Sequence, residues 1–474
     1  MDNELYGKCA CSHCGKHLEF PWAVVGQETP CPRCGQTTLL SAMAPPPSPA
    51  QNHSVASLLS SITETIPRTP VAWPYLLGLF LVALVMVLLP LVYLGIVAGT
   101  GWLMWYYAEH ARGLLTLTSG GSPARIGRYI LYVTPLLVGV LQLFFMVKPW
   151  FARRPRCAQP LALNPGAEPV LFAFIARICE TVGAPMPTRI DLDCRLNASA
   201  GFRRGTSSLW GHDLVLTIGL PLVANLDMQQ FAGVLAHEFG HFTQGTAMRL
   251  HFLIDRINRW FSRVVYERDA WDLRLEAWLE AAESGWFLVI GKALSLAVGS
   301  SRWLLKILML IGHACGSFLL RQMEHDADKY AQKVAGSEAM VNATLHIGVL
   351  GAVARRSYEL MRTSWNRQRQ LPDQYPAFLA RLAAALPANE RHRLETALAQ
   401  TPTSLWATHP SPAERMARAR AAQAAGLFQL RQPATELFTH FEAVSRQITL
   451  LHYTETLGLP CLPSCLIPAA EATR

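Results

Sequence analysis

From Trp73 to Val97 the chain reads WPYLLGLFLVALVMVLLPLVYLGIV, without one charged side chain, and no other stretch restricts its fold as strongly. As a helix this run rises about 37 Å, enough to cross a hydrocarbon layer of about 30 Å. Trp73, Tyr75 and Tyr93 lie near its ends, where amphipathic rings favour the lipid–water boundary, and Pro90 is a kink that membrane helices tolerate. A second uncharged run, Tyr129 to Val147, is a shorter candidate span, leaving 98–128 as the loop between them. Apolar residues make up 51% of the 474, and mean hydropathy is +0.20, as expected for a chain with membrane segments. The formal charge of +9 therefore points to anionic lipid as a partner rather than nucleic acid. Lys148, Arg153, Arg154 and Arg156 follow the second span at once, whereas Arg112, Arg125 and Arg128 lie between the spans. Two spans return the chain to one side of the membrane, and the basic cluster favours the cytoplasmic side.

Before the spans, residues 1–40 are polar and rich in cysteine and lack the pattern of a signal peptide. Five of the eleven cysteines fall in the first 34 residues. Cys11 and Cys14 form one C-x-x-C-G knuckle, and Cys31 and Cys34 form a second. Four thiolates in two such pairs suit a closed, tetrahedral structural zinc, so this is a zinc ribbon in a reducing compartment. Cys9 is a substitute ligand in reserve, and His13 and His17 are bystanders. A ribbon with closed metal coordination binds a partner, whose identity the sequence does not give. Residues 41–72, opening on AMAPPPSPA, are a proline- and serine-rich linker.

Within the domain 148–425, residues 160–225 mix a helical pattern (Glu168 to Val182) with short strand-like runs, TRIDLD and HDLVLTIG, and helical patterns follow from about Leu226, which predicts a mainly α fold with a small β-sheet, an α+β class. Within it, 286–320 is apolar but carries Lys292, Arg302 and Lys306, so a membrane hairpin, an interfacial pair and a substrate wall all remain open. Residues 426–474 read as a helical tail. Cys157, Cys179, Cys194 and Cys315 read as buried apolar side chains.

The chemistry concentrates in VLAHEFGHF, Val234 to Phe242. Asp227 is a good N-cap and Gln230 completes a capping box. Phe231, Leu235, Phe239 and Phe242 form one apolar stripe, and His237 and His241 share another face, one turn apart. Both imidazoles then reach one metal ion, with Glu238 beside it to take a proton from a bound water. A catalytic zinc needs a third protein ligand and an open position. RQMEHDADKYA offers Glu324 as ligand and Asp328 to fix a histidine tautomer, although His325 and Asp326 stand beside them and spacing alone does not choose.

His237-Glu238-x-x-His241, followed after an apolar insertion by Glu324-x-x-x-Asp328, resembles metallopeptidase family 48, the HtpX-like and CAAX-prenyl-protease-like membrane zinc endopeptidases. LNASAGF (Leu196 to Phe202) is similar to the family's Asn-Ala segment, and THPSPAERMARA (Thr408 to Ala419) to its late His-Pro motif followed by arginine. The resemblance covers roughly residues 125–425. It implies a zincin-type core, Zn2+ held by His237, His241 and Glu324, Glu238 as general base, and proteolysis at the membrane. It also implies that Asn197 and Ala198 edge the substrate cleft and that His409 and Arg415 stabilise the oxyanion. The segment here reads Asn-Ala-Ser where Asn-Ala-Phe is commoner, and the ribbon lies outside the peptidase core. Two functions follow: a membrane-anchored zinc endopeptidase acting on polypeptides, in quality control by the family's habit, or a membrane-tethered adaptor whose ribbon binds protein or nucleic acid above an inactive core. The basic residues from Arg249 to Arg274 stand among acids and tryptophans, as on a solvated or membrane-facing helix rather than a phosphate-tracking groove.

Overall fold

Long helices dominate because apolar and helix-forming residues run on for thirty residues or more, and the internal Pro90 and Pro135 do not end them. The computed structural model describes residues 6–11, 13–14, 16–21, 27–40, 64–67, 73–116, 121–151, 160–202, 213–243, 246–267, 274, 277, 285–404 and 407–472. Arg153, Arg154, Arg156, Cys157 and most of the linker lie outside the described residues.

The ribbon is two hairpins: β1 (Tyr6–Ala10) with β2 (His17–Pro21), and β3 (Glu28–Pro30) with β4 (Thr37–Leu39), both antiparallel. Helix α1 (Trp73–His110) continues well past Val97, and α2 (Ser122–Phe151) begins before Tyr129, so most of the expected inter-span loop is helical. The reason is that 98–110 holds no proline, and its apolar and aromatic residues from Trp102 onwards carry the helix past Gly99 and Gly101. The two helices run antiparallel, tied by Tyr93 Oη donating to the Met146 carbonyl at 2.9 Å and Tyr107 Oη to the Leu131 carbonyl at 2.7 Å. In a setting without water, hydroxyl-to-carbonyl bonds of this kind fix register.

A four-stranded sheet has the order β5 (Leu161–Ala162), β6 (Arg189–Asp193), β8 (Leu214–Gly219), β7 (Ala198–Phe202), with β6 and β8 parallel and the other pairs antiparallel. Strand β7 is thus an edge, with one row of backbone groups unpaired in the sheet. Helix α3 (Pro169–Val182) and helix α4 (Met228–Phe242) pack together through Phe174 and Phe231, whose rings stack at 6.3 Å.

Helix α5 (Thr246–Tyr266) leads towards α6, a 51-residue helix, Gly285–Ala335. The apolar segment 286–320 is therefore the first part of the helix that later carries Glu324 and Asp328. Its charges lower the hydropathy without breaking the helix, and Gly291–Ala335 is a third candidate span by length and composition, beside Trp73–Thr116 and Ser122–Phe151. Cys315 on this helix is exposed, unlike the buried Cys179 and Cys194, because α6 turns that face away from α1 and α5. Gly336, at φ 88°, makes the sharp break into α7 (Ser337–Gln368); an added Cβ there would lie 2.8 Å from the Ala425 carbonyl oxygen.

Among the described residues the remaining α-helices longer than one turn are α8 (Tyr375–Ala384), α9 (Ala388–Gln400), α10 (Pro412–Ala422) and α11 (Phe441–Leu451). Residues 426–474 are not an appended tail. Phe428, Leu437 and Tyr453 are fully buried in the same core as α3, α4 and the sheet, and Leu466–Ile467 pairs in parallel with Leu371–Pro372. Irregularly spaced core residues of this kind leave no periodic signature. Part of the expected linker is also docked: Ile66 is buried in that core, and its N–H donates to the Thr181 carbonyl at 2.8 Å.

Candidate metal centre and active site

Two helices build the centre. Helix α4 starts at a complete capping box, in which Asp227 Oδ1 accepts the Gln230 N–H at 2.7 Å and the Gln230 side chain returns to the Asp227 N–H. Phe231, Leu235 and Phe239 are fully buried, which turns His237 and His241 towards the cleft, and Phe242 is half-buried. Helix α6 lies antiparallel against α4 at very short range. A Cβ on Gly233 would sit 2.8 Å from Ala335 Cβ, and one on Gly240 would sit 3.2 Å from Ala327 Cα. Only glycine lets the backbones come this near.

At the crossing, His237 Nε2 lies 3.5 Å and His241 Nε2 3.6 Å from the two oxygens of Glu324. Ligands about 2.0–2.1 Å from a tetrahedral ion are separated by about 3.4 Å, so these atoms have the spacing of three ligands of one metal. His325 instead places Nε2 2.9 Å from Glu414, and Asp326 pairs with Lys329 on the outer face. Of the four candidate side chains in this segment, Glu324 is the one among the metal-competent group.

Asp328, one turn beyond, puts Oδ1 2.8 Å from His237 Nδ1. The Arg415 guanidinium grips the same carboxylate with both arms, Nε to Oδ2 at 2.9 Å and Nη2 to Oδ1 at 2.6 Å. Two of its donors are thus committed to Asp328 rather than turned to a substrate oxygen. His409, mostly exposed at the mouth, brings Nδ1 to 3.2 Å from Glu324 Oε1. Its loop is pinned to α6 by Arg321, which donates to the Ala407 carbonyl, and to α10 by Glu414, which accepts from Thr403 Oγ1 at 2.6 Å.

Glu238 Oε2 accepts the N–H of Ala200 at 3.2 Å, so the carboxylate touches edge strand β7 directly. Burial pushes the Glu238 carboxyl above its ordinary range. The two histidines are pushed apart. Burial takes His241 down to about 3, whereas for His237 the pull of Asp328 and Glu324 outweighs burial and raises it to about 10. Asn197 and Ala198 stand at the start of β7 and line the cleft, with the Asn197 carbonyl accepting the Gly219 N–H at 2.8 Å. The cleft has a volume of about 700 Å³.

Helix α5 forms the far wall. His251, Asp255, Asn258, Arg259 and Ser262 all line the cleft, and the His251 ring stacks on His241 at 6.0 Å. The expected solvated helix from Arg249 onwards is seen in the exposed Asp255–Arg259 pair, and the same face also lines the cleft. Its spacing of four, three, one and three was the available signal, a polar stripe at helical period.

In the ribbon, Cys11 Sγ lies 3.8 Å from Cys34 Sγ and Cys14 Sγ 3.7 Å from Cys31 Sγ. Four sulfurs at about 2.3 Å from one tetrahedral ion would be about 3.8 Å apart, so the set fits a metal. The backbone N–H groups of His13 and Cys14 lower the Cys11 thiol to about 6, favouring the thiolate. Cys9 is packed into the ribbon core beside Leu18 and Phe20, outside the group of four, and His13 is exposed.

Residues 171–423 match the model of peptidase family M48. Similar proteins include the Protease HtpX of Acinetobacter baumannii (strains AYE and SDF), each 24% identical over 290 residues, covering 59% of this chain and 81% of theirs. The Protease HtpX of Acinetobacter baylyi matches to the same extent. No solved structure matches the chain. With its three candidate membrane helices and its converging histidines and carboxylates, the chain belongs to peptidase family M48, as a membrane metallopeptidase.

Proposed function

We propose that this protein is a membrane-anchored, zinc-dependent endopeptidase that cleaves misfolded or membrane-proximal polypeptides, with ribbon and catalytic domain on the cytoplasmic side. The observation that carries this is the meeting, in one cleft, of the His237, His241 and Glu324 donor atoms with Glu238 and the outer edge of β7. A zinc held by those three residues supplies Lewis acidity and acidifies water at neutral pH.

The chain's own groups supply the rest. Substrate enters extended and adds to β7 as a further strand, which positions its scissile bond by main-chain hydrogen bonds. Glu238, held by Ala200 N–H, accepts the proton from the attacking water and delivers it to the leaving amine. His409 donates to the oxygen that gains negative charge, a contribution of about 3 kcal/mol for a donor of this kind. Arg415 acts through Asp328: the fork fixes the carboxylate that orients His237. A second zinc, in the Cys11, Cys14, Cys31 and Cys34 group, is structural and holds the module that meets a partner.

Metal stoichiometry and casein cleavage in detergent, wild type against Glu238→Gln, test the reading. Two zinc ions per chain and cleavage lost in the variant are expected. A single zinc confined to the ribbon, with no wild-type cleavage, would overturn it in favour of a tethered adaptor.

A further inference from the structure

The cleft extends to both sides of the metal centre, and its two arms differ in chemistry. Helices α4 and α6 run antiparallel, so the level of Gln230 and Gly233 on α4 meets Ala335, and the level of His241 meets Leu320 and Glu324. Beyond Gly233 the wall is mostly small or apolar, with Ala335 at the end of α6 and Ala339, Ala343 and Ile347 on α7; its polar members Gln230 and Thr344 are already engaged, with the Asp227 N–H and the Met340 carbonyl. Beyond His241 it is the polar face of α5, with His313 of α6 opposite. Strand β7 passes both, from Leu196 at the α7 side to Phe202, whose ring meets Phe242 at 5.9 Å and Phe252 at 5.2 Å.

The polar arm is built at a cost. Its helix packs its other face into the cluster of α1 and α6, with Ile254 and Phe261 fully buried. Yet Asn258 Oδ1 and His251 Nδ1 are buried and have no hydrogen-bond partner among the described residues. Unsatisfied polar atoms inside a cavity destabilise the fold unless a ligand or water meets them. An extended peptide has the complementary need, since every N–H and C=O it carries out of water must find a partner. The small-residue arm offers no such groups but leaves room for a side chain.

We infer that the two arms divide the work of recognition. The α5 arm holds substrate main chain through Asn258 and its neighbours, whatever the sequence. The α7 arm, walled by Ala339, Ala343 and Ile347, selects a bulky apolar side chain. The inference rests on the peptidase reading for the identity of the ligand as a polypeptide. The substrate class is then an extended segment with one large apolar residue on the α7 side of the scissile bond and no sequence demand on the other.

The test measures binding, by fluorescence anisotropy, of labelled decapeptides to the full-length zinc-loaded Glu238→Gln protein in detergent. The peptides carry Phe or Ala at one position, with or without N-methylation of the backbone. Ala339→Phe should weaken the Phe peptide about tenfold or more and leave the Ala peptide within about twofold. Asn258→Leu should weaken both peptides equally, by roughly three- to tenfold, and N-methylation at the matching amide should abolish that sensitivity. Metal content and melting temperature verify folding, and Ala339→Leu and Ser262→Ala serve as milder versions. Equal loss of both peptides in Ala339→Phe, a changed preference in Asn258→Leu, or no peptide binding to the folded protein would overturn the inference. Binding with the expected pattern, but no cleavage by the wild type, would refute the peptidase reading and leave the two arms standing.

Discussion

Gly233→Ala should loosen the metal centre from a full turn away. The new methyl would lie 2.8 Å from Ala335 Cβ, at least about 0.6 Å closer than ordinary contact allows. Replacing glycine inside a helix gains up to about 1 kcal/mol in propensity, and overpacking costs about 1–3 kcal/mol, so the net is roughly 0–2 kcal/mol destabilising. The larger effect falls on the metal. His237 and His241 ride on α4 and Glu324 rides on α6, and metal–ligand distances tolerate only about 0.2 Å. Pushing the helices apart by 0.6 Å separates the histidine pair from the carboxylate, with a loss in zinc affinity of about 10- to 100-fold, as for misoriented ligands generally. Ala335→Gly in the same molecule removes the opposing methyl and should restore both quantities. Melting temperature in detergent and competition against a calibrated chelator, over the four proteins of the cycle, give the coupling. We expect about 1–3 kcal/mol. A coupling below about 0.5 kcal/mol, with unchanged zinc affinity in Gly233→Ala, would refute the claim that close helix approach positions the ligands. Gly240 admits no such rescue, because its nearest obstacles include the Ala327 Cα itself.

Further outcomes are expected elsewhere. His409→Ala should lower kcat by about a hundredfold with zinc content unchanged, measured by single-turnover cleavage; loss of zinc instead would assign His409 to metal retention. His452 is buried with Nε2 3.1 Å from Tyr358 Oη, and burial holds it down to about 4 against 6.5 when free. The native state therefore keeps it neutral, so stability is full above pH 6.5 and falls by up to about 3 kcal/mol as pH drops to about 4. His452→Gln should flatten that part of a melting-temperature profile; an unchanged slope would place the proton uptake elsewhere. Cys14→Ser should remove one zinc per chain while Glu238-dependent cleavage of casein survives in detergent, and loss of both metals would contradict two independent sites.

Local chemistry accounts for what was legible in the sequence. A capping box, an apolar stripe and two histidines one turn apart are periodic features of fifteen residues, Met228–Phe242, and need no distant partner to be read. The paired cysteines of the ribbon and the uncharged run from Trp73 are equally local, since coordination spacing and bilayer thickness act on short stretches. The segment from Glu324 to Asp328 marks the limit. Its composition admits several ligands, and the choice depends on which face of α6 meets α4 some eighty residues back in the chain.

The rest was decided by the tertiary structure. Only the packing of α10 on α6 brings Arg415 to Asp328, and only the return of 426–474 to the sheet makes Phe428 and Tyr453 core residues. Likewise the stripe on α5 is polar in any fold, and it becomes a wall of the cleft because its apolar face is taken by α1 and α6. By itself, then, the sequence determined the first two apolar helices, the paired cysteines and the histidine pair on α4, because each is written at helical or knuckle spacing. The choice of Glu324 as the carboxylate beside the two histidines, the Arg415–Asp328 fork and the two arms of the cleft came from tertiary contacts alone, because groups far apart in the chain carry no common period.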